Sequence, residues 1–128
     1  MPELDLNILQ EALASESEIL FAYLFGSYST GEQTPVSDID LAVYPSRKLT
    51  LDERLGIIQR LGKKTRHENL DVTFLDRLDN LDLFEAITDK GIVLADKDID
   101  TREQFEVMMH HRYLDFKHWR DKIWNESA

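Results

Sequence analysis

The 128-residue chain has no cysteine, only three prolines and five glycines, and no long apolar run. Without cysteine there is no disulfide framework, no thiol nucleophile and no zinc site built on thiolates. No apolar stretch approaches the roughly 20 residues that cross a bilayer, and the opening Met1-Pro2-Glu3-Leu4-Asp5 lacks the basic region of a secretory signal. A cytoplasmic protein that does not engage a membrane is expected. Positive charge is also scarce: 15 Lys and Arg stand against 25 Asp and Glu, a net charge of −10. A phosphate backbone repels such a chain unless its basic residues gather on one face, so direct nucleic-acid binding is disfavoured. A nucleotide held through divalent metal, or a basic protein partner, suits this balance better.

What is present reads as one folded unit. At 42% apolar residues the composition is that of a globular protein. No repeat, low-complexity segment or Pro/Gly/Ser linker divides residues 1–128, and one domain of this size hides roughly two thirds of its unfolded surface. Leu6, Leu9 and Leu13 recur at helical spacing. Ile19 to Phe25 is an unbroken apolar run closed by Gly26-Ser27, the pattern of a strand buried on both faces. Polar residues 28–37, with Gly31 and Pro35, imply a short helix or turn followed by a loop. A second strand spans Ile39 to Tyr44 and stops at Pro45. Leu51, Leu55, Ile58 and Leu61 mark one face of a helix running to about Arg66. Asp71 to Leu75 is a third strand. A shorter helix follows around Leu81, Phe84 and Ile87, with Gly91 placed to end it, and Ile92 to Leu94 forms a small edge strand. Residues 101–124 read as one long helix striped by Phe105, Met109, Tyr113, Phe116 and Ile123. Alternating strands and helices make an α/β (α+β) domain on a small sheet.

The chemistry concentrates in Gly26-Ser27, then ten residues, then Asp38-Ile39-Asp40. On a strand Asp38 and Asp40 share a face, about 6.6 Å apart along the chain, while Ile39 points into a core. Like charges this close raise each other's pKa, and a divalent cation resolves the conflict. If the strand that Asp71 opens lies beside the second, a third carboxylate joins them. Three carboxylates suffice for two metals roughly 3.5–4 Å apart, which activate an attacking oxygen and stabilise a leaving one. A glycine after a buried strand lets backbone approach a phosphate, and the Ser27 hydroxyl adds a donor.

This constellation resembles the nucleotidyltransferase superfamily that includes DNA polymerase β. The short length and the wording Ser37-Asp38-Ile39-Asp40-Leu41-Ala42-Val43 are similar to its minimal nucleotidyltransferases. The likeness covers about residues 19–95, with Phe74-Leu75 and Lys90-Gly91-Ile92-Val93-Leu94 where that family places its third and last strands. It implies a small mixed sheet of three to four strands flanked by helices, with the long C-terminal helix at about 101–124 added. It further implies that Asp38, Asp40 and Asp71 are catalytic and bind metal, two Mg²⁺ ions with Mn²⁺ as the alternative. Gly26, Ser27, Asp38 and Asp40 bind the nucleotide, and Asp71 helps activate the acceptor hydroxyl. Many relatives carry arginines just after the Gly-Ser, where this chain has Tyr28, Ser29 and Thr30.

The reaction implied is transfer of AMP from ATP with release of pyrophosphate. Only about 30 residues follow the catalytic core, too few for a second substrate domain, so the acceptor brings its own binding surface. Minimal nucleotidyltransferases are often paired with a small helical HEPN-domain RNase in toxin–antitoxin modules, where an MntA-type antitoxin adenylylates a tyrosine of the toxin. The resemblance implies such an antitoxin, and an acidic surface would steer it toward a basic RNase. The alternatives are a small-molecule nucleotidyltransferase with an aminoglycoside-like acceptor, and an antitoxin acting by binding alone.

Other conspicuous residues have plainer readings. Lys63-Lys64-Thr65-Arg66-His67 closes a helix, where cations complement the carbonyl end of the dipole, the alternative being a phosphate contact. Arg47-Lys48 is a candidate triphosphate contact. His110, His111 and His118 read as surface residues of the terminal helix. Its apolar stripe, with Trp119 and Trp124, reads as core packing, with partner docking by its outer edge as the alternative. Asp76, Asp79, Asp82, Asp96, Asp98 and Asp100 read as caps and solvated turns.

Overall fold

Strands that are apolar at every position need cover on both faces, and the fold supplies it with two helical layers. The structure is a computed structural model and describes residues 5–26, 31, 38–67 and 69–126. In chain order these form α1 (Leu6–Ala14), β1 (Ile19–Phe25), β2 (Ile39–Pro45), α2 (Leu51–Thr65), β3 (Leu70–Phe74), a 3₁₀ turn (Leu75–Arg77), α3 (Leu81–Lys90), β4 (Ile92–Asp96) and α4 (Ile99–Glu126). The sheet order is β3-β2-β1-β4. β1 pairs antiparallel with both β2 and β4, and β2 pairs parallel with β3. The β2–α2–β3 crossover is the connection a parallel pair requires. The expected mixed sheet with flanking helices is therefore present, and β4 is an edge strand.

Side-chain alternation divides the interior in two. Ala22 and Leu24 of β1 and Ile39, Leu41 and Val43 of β2 pack under α1 and α2, with Leu9, Leu13, Ile57 and Leu61. Phe21, Tyr23 and Ala42 face the other way, against Phe84 and Ile87 of α3 and Phe105 and Met109 of α4. Helix starts are capped as their sequences dictate. Asp5 accepts from the backbone N–H groups of Asn7 and Ile8, and Thr50 with Glu53 forms a reciprocal capping box on α2.

Two expectations are corrected here and one holds. α2 buries Ile57, Leu61 and Thr65, whereas Leu51 and Leu55 of the expected face stay 61% and 49% exposed. The helix is rotated so that its β-branched Ile57 meets the sheet. Gly91 ends α3 as expected, its N–H donating to the Ile87 carbonyl, with a φ of −75°. Glycine is needed there because a Cβ would stand 2.1 Å from the Ile87 oxygen. Finally, the stripe on α4 is core only through Phe105 and Met109. Tyr113 and Phe116 are half-buried and Ile123 is exposed, because the helix outruns the body that covers its first half. Most of the expected helix or turn within residues 28–37 lies outside the described residues.

Candidate active site

The sheet brings the sequence-predicted carboxylates to one edge. β1 delivers Gly26 immediately after Phe25, and Phe25 stands opposite Asp40 in the β1/β2 register. In the parallel β2/β3 register Asp40 stands opposite Asp71, so their Cα atoms are neighbours at about the 4.8 Å inter-strand spacing. Ile39 is fully buried under α1 and α2. Its neighbour Asp40 therefore projects from the opposite face, the one that α3 and α4 partly cover, and Asp71 shares that parity with Leu70 and Val72 packed the other way. Asp38 and Asp71 are exposed and Asp40 is half-buried.

Gly26 is the close-approach residue. Its φ is +73°, in the left-handed region, and a Cβ built on it would lie 2.3 Å from Asp40 Oδ2. Any side chain here would displace that carboxylate. Ser27, with Tyr28, Ser29 and Thr30, lies outside the described residues.

The electrostatics bear out the clustering. Burial pushes the Asp40 carboxyl above its ordinary pKa, and the charges of Asp71 and Asp38 push it further. Such mutual repulsion costs stability, and a hard divalent cation offsets it with the all-oxygen donors that it prefers. Among the described residues no group of three or more acidic or histidine side chains is placed so that it could hold a metal ion as it stands. The three carboxylates are near enough to feel one another, and a shared cation would have to draw them closer together.

The basic candidates are placed elsewhere. Arg47 follows β2 at its far end, about 20 Å along the strand from Asp40, and is committed to Glu18 at 3.2 Å and to Glu53. With Lys48, Asp76 and Arg77 it lines a cleft of about 690 Å³ at that far end. The expectation that Arg47-Lys48 reaches a triphosphate at these carboxylates is therefore corrected. Lys63, Arg66 and His67 line a second cleft at the end of α2, which is the layer behind the face that carries the carboxylates. Arg66 is the left-handed C-cap of that helix, so the helix-end reading of the cluster holds for it. His110 lies on the surface with its Nδ1 2.9 Å from Glu85 Oε1.

Sequence reasoning missed a polar strut three residues before Gly26. The Tyr23 hydroxyl donates to Glu106 of α4, burial raises its pKa strongly, and Arg102 bridges Glu106 at 3.0 Å and Asp96 at 2.9 Å. Asp96 is thus no solvated turn: its Oδ1 is buried without a hydrogen-bond partner. Only the i,i+4 spacing of Arg102 and Glu106 was visible in the sequence, and nothing there pointed to Tyr23. Asp98, by contrast, caps α4 as expected, accepting from the Thr101 N–H at 3.1 Å. Asp82 sits in the first turn of α3 and also pairs with Arg120 at 3.1 Å.

Among solved structures, a toxin–antitoxin crystal structure with AMP-PNP superposes with a TM-score of 0.79 at 27% identity, over 97% of this chain and 98% of the other. An MntA–HpeT complex with a double Asp-to-Glu substitution gives 0.78 at 26% identity, with the same coverage. A complex of the tri-AMPylated HEPN toxin of Shewanella oneidensis with MNT antitoxin gives 0.70 at 22% identity, over 96% of this chain and 98% of the other. That last likeness concerns the fold alone. No curated protein matches the sequence significantly. The model of the polymerase beta nucleotidyltransferase domain matches residues 7–100, which hold Asp38, Asp40 and Asp71, and the chain belongs to that family.

Proposed function

We propose that this chain is an antitoxin that transfers AMP from ATP onto a tyrosine hydroxyl of a HEPN-domain RNase toxin, releasing pyrophosphate and neutralising the toxin. The observation that carries the reading is the convergence of Gly26, Asp40 and Asp71 at one sheet edge, with Asp38 close enough to help raise the Asp40 pKa. The similarity to a toxin–antitoxin structure containing AMP-PNP supports the nucleotide and the class of partner.

Asp38, Asp40 and Asp71 would hold Mg²⁺, as two ions, and the metal when bound supplies Lewis-acid stabilisation of charge on the transferring phosphate. Gly26 and Ser27 would bind the nucleotide, the bare backbone at Gly26 leaving room for the Asp40 carboxylate that any side chain there would displace. Asp71, on the exposed edge strand, stands where a bulky acceptor can reach it. It takes the proton of the tyrosine hydroxyl as that oxygen bonds to the α-phosphorus. The bond from the α-phosphorus to the bridging oxygen breaks, and pyrophosphate leaves.

The test is intact mass spectrometry of the HEPN-domain protein encoded alongside this chain, after incubation with the chain and Mg-ATP. Wild type is expected to add one or more AMP units, and Asp38→Ala/Asp40→Ala none. ATP binding with no mass gain on the toxin would sink the reading. Activity on aminoglycoside-like acceptors, or neutralisation unaffected by the double substitution, would then identify the small-molecule enzyme or the binding-only antitoxin respectively.

A further inference from the structure

Helix α4 is far longer than the body it packs on. Its 28 residues span about 42 Å, against about 23 Å for the seven residues of β1. The first half is anchored by Phe105 and Met109 and by the Arg102 and Glu106 contacts to Asp96 and Tyr23, and the second half is tied to α3 by the Arg120–Asp82 pair at 3.1 Å. Beyond Tyr113 the same face continues through Phe116 and Ile123, flanked by Trp119 and Trp124. Trp119 is 59%, Ile123 44% and Trp124 76% exposed. Large aromatics gathered on a projecting helix are the residues that anchor protein interfaces.

We propose that this projecting half of α4 is the arm by which the chain docks its toxin, an inference that rests on the antitoxin reading above. Two observations name the occupant. The nucleotidyltransferase family match ends at residue 100, where α4 has only begun, so the arm lies outside what defines the catalytic core. Yet the toxin–antitoxin structure with AMP-PNP matches 97% of this chain, a share that cannot be reached without most of α4. The helix is thus an addition to the catalytic core that is shared with a chain crystallised as part of a toxin–antitoxin assembly. Past Tyr113 the helix carries Lys117, Arg120 and Lys122 against Asp115, Asp121 and Glu126, a balanced set in a chain of net charge −10. The arm fits an apolar groove on a helical protein, in the helix-in-groove mode. A second copy of this chain would bring its own excess of ten negative charges toward the first, which opposes self-association through the same arm.

The experiment is titration calorimetry of the purified HEPN-domain protein with the full chain as wild type, Trp119→Glu/Ile123→Glu, Trp119→Phe and Asp38→Ala/Asp40→Ala. Melting temperature and ATP binding are measured on each. The arm variant is expected to bind the toxin at least about 30-fold more weakly with unchanged melting and ATP binding, the loss of an interface hot spot. Trp119→Phe keeps the affinity, and so does the carboxylate variant. Equal toxin affinity for wild type and the arm variant overturns the proposal. So does an arm-dependent homodimer of the free chain whose toxin affinity ignores the substitution, which would assign the arm to a second copy. If wild type transfers no AMP while the arm variant alone loses binding, the docking surface stands and the transfer reading falls.

Discussion

The two ends of β2 are built on opposite electrostatic terms. At the trailing end, the Ser46 hydroxyl donates to Glu18 at 2.9 Å and Arg47 pairs with both Glu18 and Glu53. Glu53 also accepts from the Thr50 N–H within the capping box of α2. Its carboxyl is drawn down to about 2, first by the Arg47 hydrogen bonds and then by that backbone donor. At the leading end, burial and the charges of Asp71 and Asp38 push the Asp40 carboxyl up. One end sets Arg47 between two carboxylates that pair with it. The other brings three like charges together, with a left-handed glycine pressed against one of them.

The comparison is broken most severely by neutralising the leading end. Asp40→Asn keeps the shape and removes the central charge, and AMP transfer is expected to fall by at least about 10³-fold, since positioning of the reacting groups is lost with the metal site. Its melting temperature without metal should stay level or rise, because repulsion is relieved; a large fall would show that the cluster holds the fold together. Gly26→Ala should lower transfer by on the order of 10²-fold, as the new methyl group displaces Asp40 Oδ2. The forced left-handed alanine should cost about 1–2 kcal/mol in denaturant unfolding. Gly91→Ala serves as the control glycine. Its Cβ meets the Ile87 carbonyl, so about 1–3 kcal/mol of stability should be lost while activity per folded molecule is kept. Equal activity losses at both glycines would dissolve the distinction between them.

Much of this was legible in the sequence because two periodicities carry it. Alternation on β2 put Ile39 inward and Asp38 and Asp40 outward, and the βαβ spacing put Asp71 on the next strand. What was not legible depends on tertiary partners. Half of the expected α2 face holds, since Leu61 is buried and Ile58 packs on the same core, but Leu51 and Leu55 keep helical spacing equally well, and only the sheet selects Ile57 over them. Arg47 looked close to the carboxylates in sequence, but a strand carries seven residues away from its start, and Glu18 waits at the far end. The stripe on α4 was read as core because periodicity reports a face and not how far the body beneath extends. Asp96 was read as a turn because its partner Arg102 becomes a neighbour only when β4 closes against α4.

The smallest effect sharpens the comparison most cleanly, because the two ends should answer acid with opposite signs. Glu53 has a folded pKa near 2 against an ordinary 4.5. Its contribution is fully present above about pH 4.5 and is lost as the pH falls toward 2. Asp40 is shifted the other way, so the native state holds its proton more tightly than the unfolded chain does. Stability from that group therefore rises as acid carries the solution down through its raised folded pKa. The measurement is melting temperature against pH from 7 to 2.5 in EDTA for wild type, Glu53→Gln and Asp40→Asn. Relative to wild type, Glu53→Gln should be slightly less stable at pH 7 and converge in acid. Asp40→Asn should be slightly more stable at pH 7, and that advantage should vanish in acid. Both pairs are at least partly open to solvent, so salt at 1 M should shrink both differences. Parallel curves for wild type and Asp40→Asn at every pH would mean that the leading end bears no repulsion to relieve, and the contrast between the two ends would fail at its source.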